Sequence, residues 1–185
     1  MGPPGAGKGT QASRLAGRMG VPAVSTGDIF RANVASGTDL GRAAQGYMDA
    51  GEYVPDELTN AMVRDRLAQP DAADGFLLDG YPRTTAQVGE LDDMLAAAGH
   101  ALDVVVELVV DVEELVARLS QRSSEQGRSD DSEQVVRRRM QVYAEQTAPL
   151  VEVYSARGLL RRVDGMGEVD EVTDRLLAAV GTLHA

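Results

Sequence analysis

The chain has 185 residues, 43% apolar and 25% charged, which is enough for one domain with a sizeable core and too few for two of full size. No apolar run approaches the length that crosses a bilayer, and no charged-then-apolar leader opens the chain. Cysteine is absent, which excludes disulfides and thiolate metal sites, and the net charge of −11 repels nucleic acid and anionic membrane as a whole. A cytoplasmic protein with neither kind of partner is expected, and no long exposed apolar stripe demands a dimer, so a monomer is expected as well.

In chain order, residues 1–10 form a glycine-rich loop, and Gln11 to Met19 predicts a helix stopped by Gly20 and Pro22. Ala23 to Ser25 is a short strand. Helical patterns follow over 28–35, 40–50 and 56–68. Phe76-Leu77-Leu78 predicts a buried strand ending at Asp79-Gly80, and 84–98 a helix. Leu102 to Val110 is Val-rich, as buried parallel strands are. A helix over 112–121, a polar loop over 123–127 and a helix over 131–154 with a break at Pro149 come next. Leu159 to Val163 is the last strand and 169–183 the last helix. Alternation of strands with helices predicts an α/β domain with a parallel sheet.

The strongest motif is Gly2-Pro3-Pro4-Gly5-Ala6-Gly7-Lys8-Gly9-Thr10, which has the spacing of a Walker A phosphate loop. Its glycines let successive N–H groups point at phosphate oxygens, and the following helix adds its positive end. Lys8 is the one lysine among 18 basic residues and supplies a point charge for the β- and γ-phosphates. Here Gly9 follows the lysine, and the hydroxyl comes one position later at Thr10.

Further motifs follow in order: Ser25-Thr26-Gly27-Asp28 with Arg31, Asp79-Gly80-Tyr81-Pro82-Arg83 with Gln87, Gly127-Arg128-Ser129-Asp130-Asp131, Arg139, and Val163-Asp164-Gly165. Together with the loop they resemble the adenylate kinase family of nucleoside monophosphate kinases, over nearly the whole chain. The resemblance implies a P-loop NTPase fold, a five-stranded parallel sheet flanked by helices. It also implies a mobile AMP-binding segment at about 25–54 and a short lid at about 122–132, within one domain spanning 1–185.

The implied reaction is reversible phosphoryl transfer from ATP to AMP, giving two ADP, with Mg²⁺ as cofactor. Such transfer is mostly positioning and charge neutralisation, for which the planar, permanently charged guanidinium is suited. By resemblance, Lys8, Arg83, Arg122, Arg128 and Arg139 are catalytic. Gly5, Ala6, Gly7, Lys8, Gly9, Thr10, Arg118, Arg122 and Gly167 bind ATP, Arg118 covering the adenine. Thr26, Arg31, Glu52, Tyr53, Val54, Gly80, Tyr81, Pro82, Arg83, Gln87, Arg128 and Arg139 bind AMP. The backbone of 52–54 and the Gln87 amide belong to the base pocket. Mg²⁺ is expected to ride on the nucleotide, oriented through water by Asp79 and Thr10, with no direct protein ligand. Asp130 and Asp131 brace the lid arginines, or Asp131 caps a helix. On residue pattern alone, most charges of Arg137, Arg138 and Arg139 form a solvated helix face, Gln87 is an exposed helix glutamine, Glu90, Asp92 and Asp93 are solvated surface, and His100 and His184 are incidental, neither having a metal-ligand partner at useful spacing.

Two departures stand out. Five residues separate Arg122 from Arg128, where long-form relatives insert an extra lid domain, sometimes with zinc-binding cysteines. The loop also begins at residue 2, where family members place an apolar strand first. A four-stranded sheet with a central gap is therefore expected, in a chain whose natural start lies earlier. Alternatives are a UMP/CMP kinase, against which Thr26 stands, and a non-catalytic nucleotide-binding module, against which the second set of arginines stands.

Overall fold

The structure is a computed structural model and describes residues 1–111, 114–115, 118–119 and 132–181. Among these, four strands form two parallel pairs. β1 (Ala23–Ser25) pairs with β2 (Leu77–Asp79) in the register Val24 opposite Leu78. β3 (Val105–Val109) pairs with β4 (Leu160–Asp164) in the register Glu107 opposite Arg162. No hydrogen bonds join the two pairs.

The expected four strands and gap are thus present, and Met1 stands at the gap. The Met1 amine donates to Val106 O, and Leu108 N donates to Met1 O at 3.0 Å. That is a one-residue parallel ladder on β3. It explains a correction to the sequence reading: Phe76, Leu77 and Leu78 are only half-buried rather than enclosed, because among the described residues no strand pairs with the second edge of β2.

The helices are α1 (Lys8–Met19), α2 (Thr26–Ala35), α3 (Asp39–Ala50), α4 (Asp56–Leu67), α5 (Thr85–Ala97), α6 (Glu133–Val142), α7 (Leu150–Ala156) and α8 (Val169–Gly181). α1 starts three residues earlier than expected. Gly7 takes a left-handed conformation (φ 84°) that only glycine adopts cheaply, so the chain turns directly into the helix and Lys8 to Thr10 form its first turn. The side chains of Ser25, Thr38 and Thr84 accept backbone N–H groups and start α2, α3 and α5.

The expected helix over 131–154 breaks at Pro149 as the sequence indicates: α6 runs into a π-helical turn over Tyr143–Thr147, which sequence reading did not anticipate, and α7 follows the proline, while residue 131 lies outside the described residues. Pro149, which lacks an N–H, stands where α7 begins. Of the expected helix over 112–121, Glu114, Leu115, Arg118 and Leu119 are helical and the remainder lies outside the described residues, as does the end of the last helix beyond 181.

Three apolar clusters fix these elements. Leu15, Leu108, Leu115, Val163, Val172 and Leu176 join α1 and α8 to the β3–β4 pair. Phe30, Val54, Met62, Val63, Tyr81, Leu91 and Leu95 join α2, α4 and α5 beside β2. Val88, Val105, Leu150 and Tyr154 form a third, against which Met1 packs. Burying such side chains is worth about 1.5–3 kcal/mol each.

Candidate active site

One cavity of about 1270 Å³ runs along the carboxyl ends of the strands and continues between β2 and β3. Its floor is the phosphate loop. Lys8 Nζ donates to Gly2 O at 2.7 Å and to Pro3 O at 2.8 Å, which draws the ammonium back over its own loop. Asp79, the last residue of β2, brings a carboxylate to the first turn of α1, with Oδ2 3.5 Å from where a Cβ on Gly9 would lie. Thr10 is exposed on the same turn. Among the described residues no three His, Asp or Glu gather closely enough to hold a metal ion.

Arg118 lines one end of the cavity, together with Gly7, Gly165 and Gly167. Its Nε donates to Glu114 at 2.7 Å and its Nη2 to Gly165 O at 3.2 Å. The 164–167 loop is held by Arg175, which sequence reading missed: its Nη1 donates to Asp164 O at 2.8 Å and Met166 O at 2.6 Å.

The other end is built around Gly80 and Arg83. Thr26, 2% exposed, donates from Oγ1 to Gly80 O at 2.9 Å. Arg83 Nε donates to the same carbonyl at 2.7 Å. The Arg83 guanidinium lies over the Tyr53 ring, 4.8 Å from its centre, a stacking that favours the cation. Arg31 Nη2 pairs with Asp28 at 2.6 Å on the exposed start of α2, and Arg31 also lines the cavity. Glu52, Tyr53, Val54, Gly80, Tyr81 and Pro82 line it as well. Burial pushes the Tyr81 hydroxyl well above its ordinary range, and the hydroxyl donates to Asn60 at 2.8 Å.

Gln87 overturns the residue-pattern reading. It is 1% exposed, not a surface glutamine, because α5 turns that face toward α4. Its Oε1 accepts Arg83 N–H at 2.7 Å, and its Nε2 donates to Asp56 Oδ1 at 2.6 Å. Asp56 also accepts from the Thr84 hydroxyl, at 2.8 Å. In the sequence Asp56 reads only as the start of a helix after Pro55, so its bracing role carried no signal.

The run Arg137 to Arg139 divides three ways. Arg137 pairs with Glu133 on the surface, Arg138 pairs with Glu52 at 2.6 Å, and Arg139 lines the cavity. The Glu52 pairing favours the charged form of Arg138. Expected surface carboxylates also have partners: Glu90 pairs with Arg64 and Asp92 with Arg157. His100 is exposed and lines the cavity. Arg122, Arg128, Asp130, Asp131, His184 and the polar loop over 123–127 lie outside the described residues.

A glycine-rich loop running into a helix, an acid at the end of the neighbouring strand, and a second set of arginines across one cavity define a phosphate-loop nucleotide kinase. The family model described as adenylate kinase matches residues 1–159. An adenylate kinase of Nocardioides sp. is 62% identical over 183 residues, covering 99% of this chain and 96% of that protein. Those of Kocuria rhizophila and Thermobifida fusca are 62% and 61% identical over 180 residues, covering 97% of this chain and 96% and 95% of those proteins. The chain belongs to the adenylate kinase family.

Proposed function

We propose that the cavity works as a donor half and an acceptor half meeting at Lys8. The reaction is that of the family, reversible transfer of the terminal phosphoryl group of ATP to AMP, giving two ADP. In the donor half, the 5–10 loop and the start of α1 bind the ATP phosphates, while Arg118 and Gly167 flank the adenine. In the acceptor half, Arg31 and Arg83 hold the AMP phosphate. Thr26, the 52–54 backbone and Gln87 hold its base. Arg139, with Arg122 and Arg128, surrounds the transferring group. The chain works as one domain, with an acceptor segment at 25–54 and a short lid at 122–132.

The observation that carries this division is that Lys8, Arg31, Arg83 and Arg139 all line one cavity. Two polyanions must be held in line against their repulsion, and these side chains bring fixed positive charge to both. Asp79 and Thr10 suit a hydrated Mg²⁺, being oxygen donors beside the loop that binds the phosphates. When bound, the ion neutralises phosphate charge, and Asp79 and Thr10 orient its waters. A cytoplasmic monomer is the proposed working form, in keeping with a chain that has no cysteine and no long exposed apolar stripe; no described helix is long and apolar enough to cross a membrane.

A coupled assay with ATP and, separately, AMP, CMP and UMP tests the reading. Turnover strongest with AMP is expected. Preference for CMP or UMP would assign a pyrimidine nucleotide kinase instead. Nucleotide binding with no turnover on any acceptor would leave a binding module.

A further inference from the structure

Thr147 ends the π-helical turn and is 6% exposed. Its Oγ1 donates to Arg83 O at 2.8 Å and lies 2.7 Å from the Tyr53 hydroxyl. One hydroxyl has one proton to give. With that proton directed to Arg83 O, the Tyr53 hydroxyl is the donor to Thr147. The result is a strut of two hydroxyls that ends on the Arg83 backbone, while the Tyr53 ring lies under the Arg83 guanidinium. Thr147 therefore touches both supports of one arginine, its peptide and its aromatic plate.

We propose that Thr147 is a positioning residue for Arg83, acting through the Arg83 carbonyl and through Tyr53. It has a second consequence. The π-helical turn follows α6 directly, and α6 carries Arg139. The strut thus fixes the Arg83 loop relative to the helix that brings Arg139 to the same cavity. Turns of this kind insert an extra residue and re-aim the side chains beyond them, often at functional sites. In a regular helix, position 147 would be rotated away from its present direction. This proposal rests on the assignment of Arg83 to the acceptor phosphate.

The test compares Thr147→Val, which keeps shape and removes the hydroxyl, with Thr147→Ser, which keeps the hydroxyl, and Tyr53→Phe, which keeps the ring. KM for AMP, KM for ATP, kcat and Tm are measured for each, with Arg83→Lys as the control. Loss of a buried hydrogen bond predicts a rise of about five- to tenfold in KM for AMP in Thr147→Val, with KM for ATP within about twofold. Thr147→Ser should recover most of that rise, and Tyr53→Phe should raise KM for AMP by about threefold or more.

Equal increases for both nucleotides, or a serine variant no better than valine, would overturn the positioning role. If Arg83→Lys itself leaves KM for AMP unchanged, the Arg83 assignment fails and the strut with it. If Arg83→Lys raises it and Thr147→Val does not, the strut alone fails. Should Thr147→Val not fold, Tyr53→Phe decides, and an unchanged KM for AMP in that variant overturns the proposal.

Discussion

The Asp56 carboxylate fixes which way the Gln87 amide faces: Gln87 Nε2 donates to Asp56 Oδ1 at 2.6 Å, leaving Oε1 toward the Arg83 peptide. A carboxylate accepts and cannot donate, so the flipped amide would place two acceptors against each other. Gln87→Ala is expected to raise KM for AMP far more than KM for ATP, because the amide is proposed to serve only the acceptor half, at the base and through the Arg83 peptide. Asp56→Ala should reproduce part of that effect by freeing the amide to rotate. Michaelis constants for the two nucleotides check both variants, and equal rises would remove Gln87 from the acceptor half.

Lys8→Ala is expected to fold and to lose turnover by about 10²–10³, as when one preorganised positive donor is removed from a transition-state site. Lys8 now donates to Gly2 O and Pro3 O, and Gly2 lines the cavity, so water can take the place of the ammonium there. The Tm should therefore move little. Steady-state rates beside a melting curve separate the two effects, and a variant retaining half the parent rate would reject the role of Lys8.

Gly80 has φ 79°, and a Cβ there would stand 2.7 Å from Thr26 Oγ1 and 2.8 Å from Arg83 Nη2. Gly80→Ala combines left-handed strain with a clash against Thr26 and Arg83, two residues of the proposed acceptor half. A loss of about 1 kcal/mol or more in stability is expected from the backbone alone. KM for AMP should rise with it while KM for ATP stays close to the parent value. Denaturant unfolding and kinetics on the same preparation would show this.

The slot between β2 and β3 predicts a response to chain added ahead of Met1. An extended segment of Val and Leu there would run parallel to β3, continuing the ladder that Met1 makes with it. It would also approach the Tyr154 hydroxyl, the one fully buried side-chain polar atom without a partner among the described residues. A higher Tm is expected, since each apolar side chain so buried adds about 1.5–3 kcal/mol before ordering costs.

The same addition should change the pH dependence. Burial lowers the Met1 amine from 8.0 to about 5. Between those values the unfolded chain binds the proton and the folded chain does not, so this group makes stability rise with pH from about 5 to 8. An added segment turns the amine into an amide and removes that slope. Melting curves at both ends of the window test it, and an extension that changes neither Tm nor slope would mean that the slot takes no strand.

The sequence by itself determined the parts whose chemistry is local. The 2–10 loop is written in glycines that must curl and in a lysine held over that loop. The four strands fall where short apolar runs meet turn residues, and the arginine sets at Arg31, Arg83 and Arg139 follow from motif order. What only the tertiary structure decided depends on side chains far apart in the chain. Asp56 braces Gln87 across 31 residues, and Thr147 reaches Arg83 across 64. Arg138 rather than Arg137 finds Glu52, because the face of α6 toward the 51–53 loop is set by packing and not by the charge run itself. The half-buried edge of β2 has the same origin. Whether Leu77 and Leu78 are enclosed depends on what lies beside them in the sheet, and hydrogen-bonding neighbours in a parallel sheet are distant in sequence.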